Sequence, residues 1–186
     1  MADPVKKGVG YEQLFDLPDN VVGEIFAGDL ITHPRPAPRH VRAASMLGIL
    51  LGGHFDYKLS GRDDGWWILH EPECHLAEDI VVPDITGWRK TTMAELPETA
   101  WFEIPPDWVC EVLSPATSKF DRGVKRDIYA REKVGYYWIV DPLDKVVEVF
   151  ALERERWTLV STAQDEQVVN LVPFESLPFD LSALWA

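Results

Sequence analysis

The polar residues of this sequence that could do chemistry are two acids and one lysine among apolar neighbours. Glu111 lies in the middle of the run WVCEVL at residues 108–113, and Asp84 follows Pro83 at the end of an apolar segment. Lys125 lies a short distance after Glu111, in a stretch with helical periodicity. Two carboxylates on neighbouring strands can hold one hard cation such as Mg²⁺, which takes its other ligands from water and phosphate oxygens. A nearby ammonium group can stabilise negative charge that develops on a phosphate.

Glu111 is the most informative of the three. On an extended strand its side chain shares one face with Val109 and Leu113, while residues 108, 110 and 112 occupy the other face. Burying a lone carboxylate costs several kcal/mol unless a cation or hydrogen-bond donors meet it. A structural ion pair with an arginine is one interpretation, but the pattern favours a functional acid in a binding or catalytic site.

Asp84 and Lys125 each allow two interpretations. Aspartate is common where strands end, so Asp84 is either a turn residue or the partner of Glu111 in a cation site. Lys125 follows Asp121 by one helical turn and precedes Tyr129 by one turn, so the three form one stripe on a helix. The lysine is either solvated and paired with Asp121, or it leans over the strand ends toward the two acids.

The elements that would position these residues are predicted from hydrophobic periodicity and turn signals. A helical period runs from His40 to about Tyr57, and a later helix begins at Ser118-x-x-Asp121, which resembles a capping box. A short helix is expected near residues 11–17, a proline-rich loop at 32–38 and an acidic loop at 91–106. Strands are expected over two parts of residues 21–31, which flank a turn at 27–29, and over residues 66–69, 73–76, 79–88, 108–113, 136–140, 146–151 and 157–161.

This order of elements predicts an α/β (α+β) fold with a mixed central sheet flanked by helices. The segment 108–113 is apolar on both faces, as is typical of a central strand that helices cover. The length of 186 residues suits one domain, so we expect residues 1–186 to form a single domain with residues 1–10 as a loose N-terminal arm.

The composition argues against several classes of protein. The 18 basic and 31 acidic residues give a net charge of −13, which disfavours binding of nucleic acid through bulk positive charge. The longest uncharged apolar run, residues 43–53, is shorter than the about 20 residues that cross a bilayer. A secretory signal is not evident, and two cysteines are too few for a disulfide framework, so we expect a cytoplasmic protein and no membrane partner.

A zinc site is disfavoured by spacing. His70, Cys74 and His75 are residue types that bind zinc, but only Cys110 remains to complete a second pair. The acid-and-lysine group is therefore the stronger candidate site.

Four motifs mark residues 81–142: Pro83-Asp84, EVLSP at 111–115, the spaced Asp121, Lys125 and Tyr129, and YYWIVDP at 136–142. With these motifs the sequence resembles the Uma-two family of bacterial restriction endonucleases, within the PD-(D/E)xK nuclease superfamily. Weaker similarity in residues 23–30 and 38–40 extends the resemblance over nearly the whole chain after residue 10. The resemblance implies a restriction-endonuclease-like fold.

The resemblance also implies roles for individual residues. Asp84 and Glu111 would be catalytic and would bind Mg²⁺ or Mn²⁺, together with the carbonyl of Val112. The superfamily places a lysine two residues after the second acid, where this sequence has Leu113. In this family the lysine is thought to lie on the following helix, which points to Lys125 as the catalytic lysine. Glu24 and His40 are implied as auxiliary groups near the site.

The implied activity is metal-dependent endonucleolytic hydrolysis of DNA by a homodimer, because cutting both strands commonly uses two sites. Residues 119–133 carry six bases and three acids, and Arg35, Arg39 and Arg42 form a second basic patch, so the charge still allows weak, salt-sensitive and metal-dependent DNA contact. Two alternatives stay open. One is a nuclease fold that no longer cleaves and acts as a nucleic-acid or protein binding module. The other is a structural protein whose two acids are ion-paired in the core.

Overall fold

A six-stranded mixed sheet forms the centre of the protein in a computed structural model, which describes residues 10–57 and 65–185. Nearly all of the predicted N-terminal arm, residues 1–9, lies outside the described residues. The strands are β1 (Val21–Phe26), β2 (Asp29–Pro34), β3 (Trp66–His70), β4 (Cys74–Leu76), β5 (Asp79–Val81), β6 (Ile85–Arg89), β7 (Trp108–Val112), β8 (Tyr136–Asp141), β9 (Val146–Glu153), β10 (Arg156–Gln164), β11 (Val168–Val169) and β12 (Phe179–Asp180). The helices are α1 (Pro38–Leu51), α2 (Ser118–Asp121) and α3 (Val124–Arg131), with 3₁₀ turns at Tyr11–Leu14 and Leu181–Leu184 and a π-type turn at Gly52–Asp56.

The central sheet has the order β10-β9-β8-β7-β6-β3. Strands β7 and β8 are parallel, joined through α2 and α3, and the other neighbours are antiparallel. A second, antiparallel sheet has the order β2-β1-β5-β4, and β11 pairs with β12. The predicted α+β fold with a mixed central sheet flanked by helices is thus confirmed.

Strand β7 is the middle of the core, and all five of its residues are buried. Trp108, Cys110 and Val112 pack on α1 and the C-terminal segment. Val109 packs on the opposite face, with the buried residues of α3 and of the four-stranded sheet. Glu111 shares that second face, as the strand period predicts, and so it points toward α3.

The segment predicted as one strand over residues 79–88 is two strands in different sheets. Strand β5 pairs with β1 and β4, whereas β6 pairs with β3 and β7. Pro83 lies between them and lacks the N–H that a continuous ladder would need. The break carries the chain from one sheet to the other and places Asp84 at the junction.

The prediction of one capped helix from Ser118 was wrong in detail. Thr117 is the N-cap of α2, and its backbone N–H donates to the hydroxyl oxygen of Ser114. The helix stops after Asp121 and restarts at Val124, because Gly123 adopts φ −117 and ψ −108, outside the helical region. Asp121 and Lys125 therefore lie on two consecutive short helices.

Most other elements lie where the sequence predicts them. Helix α1 begins at Pro38 and, together with the π-type turn, spans the predicted helical period. The β1–β2 hairpin turns at Ala27 and Gly28, which both have positive φ, as a two-residue type I′ turn requires. None of the helices in the described part of the chain combines the length and apolar character needed to cross a bilayer.

Candidate active site

Asp84, Glu111 and Lys125 line one pocket at the junction of the two sheets. Asp84 comes from the break between β5 and β6, Glu111 from β7 and Lys125 from α3. His40, at the start of α1, and Asp121, at the end of α2, also line the pocket, as do Glu71 and residues of the 33–36 segment. The structure thus brings together the three residues that the sequence singles out, although they come from separate elements.

Reciprocal hydrogen bonds to backbone amides hold the two acids in register. The Val112 amide donates to Asp84 Oδ2 over 2.7 Å, and the Asp84 amide donates to Glu111 Oε2 over 3.4 Å. The Asp84 carboxylate is therefore fixed by β7, and the Glu111 carboxylate is held by the backbone at the break between β5 and β6. The predicted role of the Val112 carbonyl as a metal ligand stays a prediction, whereas its amide positions Asp84.

Lys125 lies at the centre of a buried charge cluster. Its Nζ is 2.7 Å from Glu111 Oε1, 3.1 Å from Glu24 Oε1 and 3.6 Å from Asp121 Oδ1. The side chain is only 4% exposed, so the alternative of a solvated lysine is wrong, although the pairing with Asp121 is present. Burial lowers the pKa of Lys125, but the three carboxylates outweigh burial and raise this pKa well above its ordinary value.

One ammonium group faces three carboxylates, and this imbalance changes the pKa of each acid. Burial raises the pKa of Glu111 well above its ordinary value, and repulsion from Asp121 and Asp84 adds to the effect. Burial also raises the pKa of Asp121, more than Lys125 lowers it. For Glu24 burial acts in the same direction, but Lys125, His33 and the Val82 amide together lower its pKa. The pocket is therefore richer in carboxylate groups than in positive charge.

Two histidines contact acids of the site. His40 Nε2 is 3.1 Å from Asp84 Oδ1 and 3.2 Å from Oδ2. Burial lowers the pKa of His40, but Asp84 outweighs it and the net pKa is raised. His33 Nε2 is 3.4 Å from Glu24 Oε2. Glu24 and His40, predicted as auxiliary groups, thus both lie beside the three central residues.

The donor set of the pocket suits a hard cation. Asp84 and Glu111 offer carboxylate oxygens, and Asp121 Oδ2, which lines the same pocket, is buried without a hydrogen-bond partner in the described residues. Among the described residues, no three His, Cys, Asp or Glu side chains are arranged as a metal-ligand group. A cation held by Asp84 and Glu111 would need water and phosphate oxygens for its other ligands, as is usual for Mg²⁺.

Sequence reasoning missed two titratable residues that line the pocket, His33 and Glu71. The position of His33 beside Glu24 could have been predicted from the sequence, because the two-residue turn fixes the hairpin register and places Ile31 opposite Glu24. His33, two residues further along, is then a diagonal neighbour of Glu24 on the same face. Glu71 has no such signal, since it follows an edge strand and has a left-handed backbone with φ 44.

The model of the Uma2 family, described as "Putative restriction endonuclease", matches residues 11–183. The chain belongs to the Uma2 family. This match confirms the resemblance carried by the EVLSP and YYWIVDP motifs, and it spans all the site residues described above. No protein with a curated description matches this Uma2 chain.

A solved structure from Anabaena variabilis ATCC 29413, described as a "putative nuclease belonging to DUF820", superposes on this Uma2 protein with a TM-score of 0.73. The two are 20% identical, and the alignment covers 93% of this chain and 95% of that chain, so they share a fold. The type IIG restriction endonuclease BpuSI aligns with a TM-score of 0.39 and 14% identity, over 66% of this chain and 12% of that chain. That overlap is too small to support an argument.

Tyr129 is expected to be a positioning residue for Glu111. Its hydroxyl donates to Glu111 Oε1 over 2.6 Å in a buried setting. Tyr129→Phe should cost about 1–3 kcal/mol of unfolding free energy and should also weaken the binding of Mn²⁺, because Glu111 loses a donor that orients it. Chemical denaturation and calorimetric titration with Mn²⁺ measure the two effects.

Tyr137→Phe is the matched control. This neighbouring tyrosine is equally buried, and its hydroxyl donates to the Asp121 backbone carbonyl over 2.8 Å. We expect a similar loss of stability with unchanged Mn²⁺ affinity. Equal effects of both substitutions on the affinity would contradict a specific role for Tyr129.

Proposed function

We propose that this Uma2 protein is a divalent-metal-dependent endonuclease that hydrolyses phosphodiester bonds of DNA, with Mg²⁺ or Mn²⁺ as the metal. The observation that carries the proposal is the pocket that Asp84, Glu111 and Asp121 line together, in which the ammonium group of Lys125 lies 2.7 Å from Glu111 and 3.6 Å from Asp121. A divalent cation would offset the surplus of carboxylate groups. The family description, which is that of a restriction endonuclease, supports DNA as the substrate.

Each residue has a distinct role in this proposal. When bound, the cation would lower the pKa of a coordinated water and neutralise charge on the phosphate. Asp84 and Glu111 would hold the cation through their carboxylate oxygens. Lys125 would orient the attacking water and stabilise the negative charge of the transition state. Its position beside Glu111 supports its use in place of the lysine that the superfamily pattern puts at Leu113.

The surroundings of the pocket support contact with a nucleic acid backbone. Arg35 and Arg39 are exposed and lie in the segment between two residues of the pocket wall, His33 and His40. They could meet phosphates on either side of the scissile bond. Because the whole chain carries a net charge of −13, this contact should be weak and salt-sensitive.

The first test is cleavage of supercoiled plasmid DNA. The wild-type protein should nick or linearise it with Mg²⁺ or Mn²⁺ and should be inactive with EDTA. Asp84→Asn should lower the Mn²⁺ affinity, measured by calorimetry, by roughly 10²-fold because one anionic ligand is lost. Glu73→Gln, at a partly exposed acid that does not line the pocket, is the control and should leave affinity unchanged. Equal Mn²⁺ affinity and equal cleavage in the wild type and Asp84→Asn would reject the assignment.

A binding module without cleavage is the second candidate function. The observation that favours it is that no three-ligand group of His, Cys, Asp or Glu forms among the described residues. The two candidates differ in one measurement, since a working site binds Mn²⁺ in the wild type and loses this binding in Glu111→Ala. A module that only binds DNA would retain DNA affinity in EDTA and would show no such difference.

The homodimer and the cytoplasmic location stay predictions. Cys74 and Cys110 are both free and buried, which is compatible with a reducing compartment. Sedimentation of the purified protein with and without a DNA duplex would test the dimer.

A further inference from the structure

Strand β2 contributes one more titratable group to the pocket, His33. Its Nε2 is 3.4 Å from Glu24 Oε2, and its side chain is 16% exposed. His33 belongs to none of the motifs that carry the family resemblance, and the roles described above do not use it. Nε2 is buried and forms no hydrogen bond of good geometry within the described residues, so Glu24 is its neighbour rather than a tight partner.

The position of His33 is fixed through Glu24. Glu24 is 2% exposed, and its Oε1 accepts from the Val82 amide over 2.8 Å and lies 3.1 Å from Lys125 Nζ. With Oε1 fixed in this way, Oε2 faces the imidazole. A carboxylate beside one ring nitrogen favours one orientation of the ring and a proton on it, which suits proton transfer.

The other two basic groups of the pocket, Lys125 and His40, lie closer to carboxylates than His33 does. Lys125 is shared among three carboxylates, and His40 Nε2 contacts both oxygens of Asp84. Phosphodiester hydrolysis needs more than an activated water, because the oxygen that leaves phosphorus must gain a proton. Of the two histidines that line the pocket, His40 is 8% exposed and its Nδ1 is buried, whereas His33 is 16% exposed and is therefore better placed to meet a leaving oxygen.

We propose that His33 is the general acid that protonates the leaving oxygen, an inference that rests on the proposed nuclease function. The water oxygen forms the new bond to phosphorus, and the water proton passes to solvent. The phosphorus–oxygen bond to the leaving group breaks, and its electron pair stays on that oxygen. The oxygen takes the proton of the His33 imidazolium, and solvent then reprotonates the ring.

Substrates with a bridging sulfur test this role directly. A thiolate leaves without protonation, so a defect in the general acid disappears when sulfur replaces the leaving oxygen. We would compare a DNA oligonucleotide with its 3′-bridging and 5′-bridging phosphorothiolate analogues, all with Mn²⁺. His33→Ala should slow cleavage of the normal substrate by roughly 10²- to 10⁴-fold. The His33→Ala variant should cleave the analogue whose sulfur is the leaving atom at nearly the wild-type rate.

His75→Ala is the matched control, because His75 is also partly buried and also pairs with a glutamate, Glu73, over 2.7 Å, but it does not line the pocket. It should cleave all three substrates like the wild type. His33→Gln, which keeps a polar side chain beside Glu24, gives a second variant if His33→Ala unfolds. Loss of cleavage on oxygen and sulfur substrates alike, or no loss in either His33 variant, would overturn the role of His33. A wild-type protein that cleaves none of the substrates would reject the nuclease function itself, and the inference with it.

A readout without metal or turnover comes from NMR of protein with ¹⁵N-labelled histidine in EDTA. Addition of a dinucleotide phosphodiester should shift the ring nitrogen signals of His33 and leave those of His75 unchanged. Unchanged His33 signals at a dinucleotide concentration that shifts amide signals of the pocket would overturn the inference.

Discussion

Replacing Glu111 by glutamine should abolish metal-dependent cleavage while the protein stays folded. The substitution keeps the size of a fully enclosed side chain but removes an anionic ligand, so we expect the cleavage rate to fall by roughly 10³-fold or more. Stability should be unchanged or higher, because the change removes one acid from a carboxylate-rich cluster, and Lys125 keeps Glu24 and Asp121 as partners. Plasmid cleavage and thermal unfolding measure the two effects on the same preparation.

Asp79→Asn provides the comparison for Glu111→Gln. Asp79 is as buried as Glu111, but it serves structure: Oδ1 accepts from the Ala27 amide over 2.7 Å, and Oδ2 lies 2.6 Å from Arg131 Nη2. We expect Asp79→Asn to cost about 1–3 kcal/mol of unfolding free energy and to retain cleavage at temperatures where it is folded. If Glu111→Gln instead lost stability and kept activity, Glu111 would be a structural acid and the ion-paired alternative would hold.

Of the proposed substitutions, removing the charge of Lys125 should lower the free energy of unfolding the most. Lys125→Met preserves much of the side-chain length but leaves Glu24, Glu111 and Asp121 buried without their common counter-charge. Breaking a buried ion pair by removing one partner costs about 3–5 kcal/mol, and we expect a loss in that range from urea denaturation at neutral pH. Cleavage should also be lost, because the proposed role of the ammonium group has no substitute.

A double-mutant cycle separates charge from packing in this result. Lys125→Met combined with Glu111→Gln should be more stable than Lys125→Met alone, since fewer unpaired carboxylates remain. The binding of Mn²⁺ should stabilise Lys125→Met more than the wild type, because the cation restores positive charge to the cluster. A loss below about 1 kcal/mol in Lys125→Met would contradict the buried network, because that is the range of an exposed ion pair.

The cluster around Lys125 also joins the two sheets of the protein. Glu24 comes from β1 of the four-stranded sheet, and Glu111 comes from β7 of the central sheet. Lys125, on α3, contacts both. The candidate site therefore lies where the two sheets meet, so the charges to which we assign a chemical role also hold the two sheets together.

Local patterns in the sequence were sufficient to predict several structural features of this protein. The alternation of side chains along residues 108–113 placed Glu111 on the face opposite Trp108 and Cys110, because a strand repeats every two residues whatever surrounds it. The turn at Ala27 and Gly28 set the first hairpin, and helical spacing put Lys125 and Tyr129 on one stripe. These features depend on neighbours a few residues away.

The contacts that make the site depend on pairing between distant segments, which only the tertiary structure decided. The division of residues 79–88 between two sheets follows from partners in β1 and β7, and it brings Asp84 beside Glu111. The meeting of Glu24 with Lys125, and of His40 with Asp84, likewise joins elements far apart in the chain. Spacing along the sequence was sufficient to identify Asp84, Glu111 and Lys125 as candidate site residues. Long-range strand pairing determined that they share one pocket, because that pairing sets which strand ends and helix faces meet.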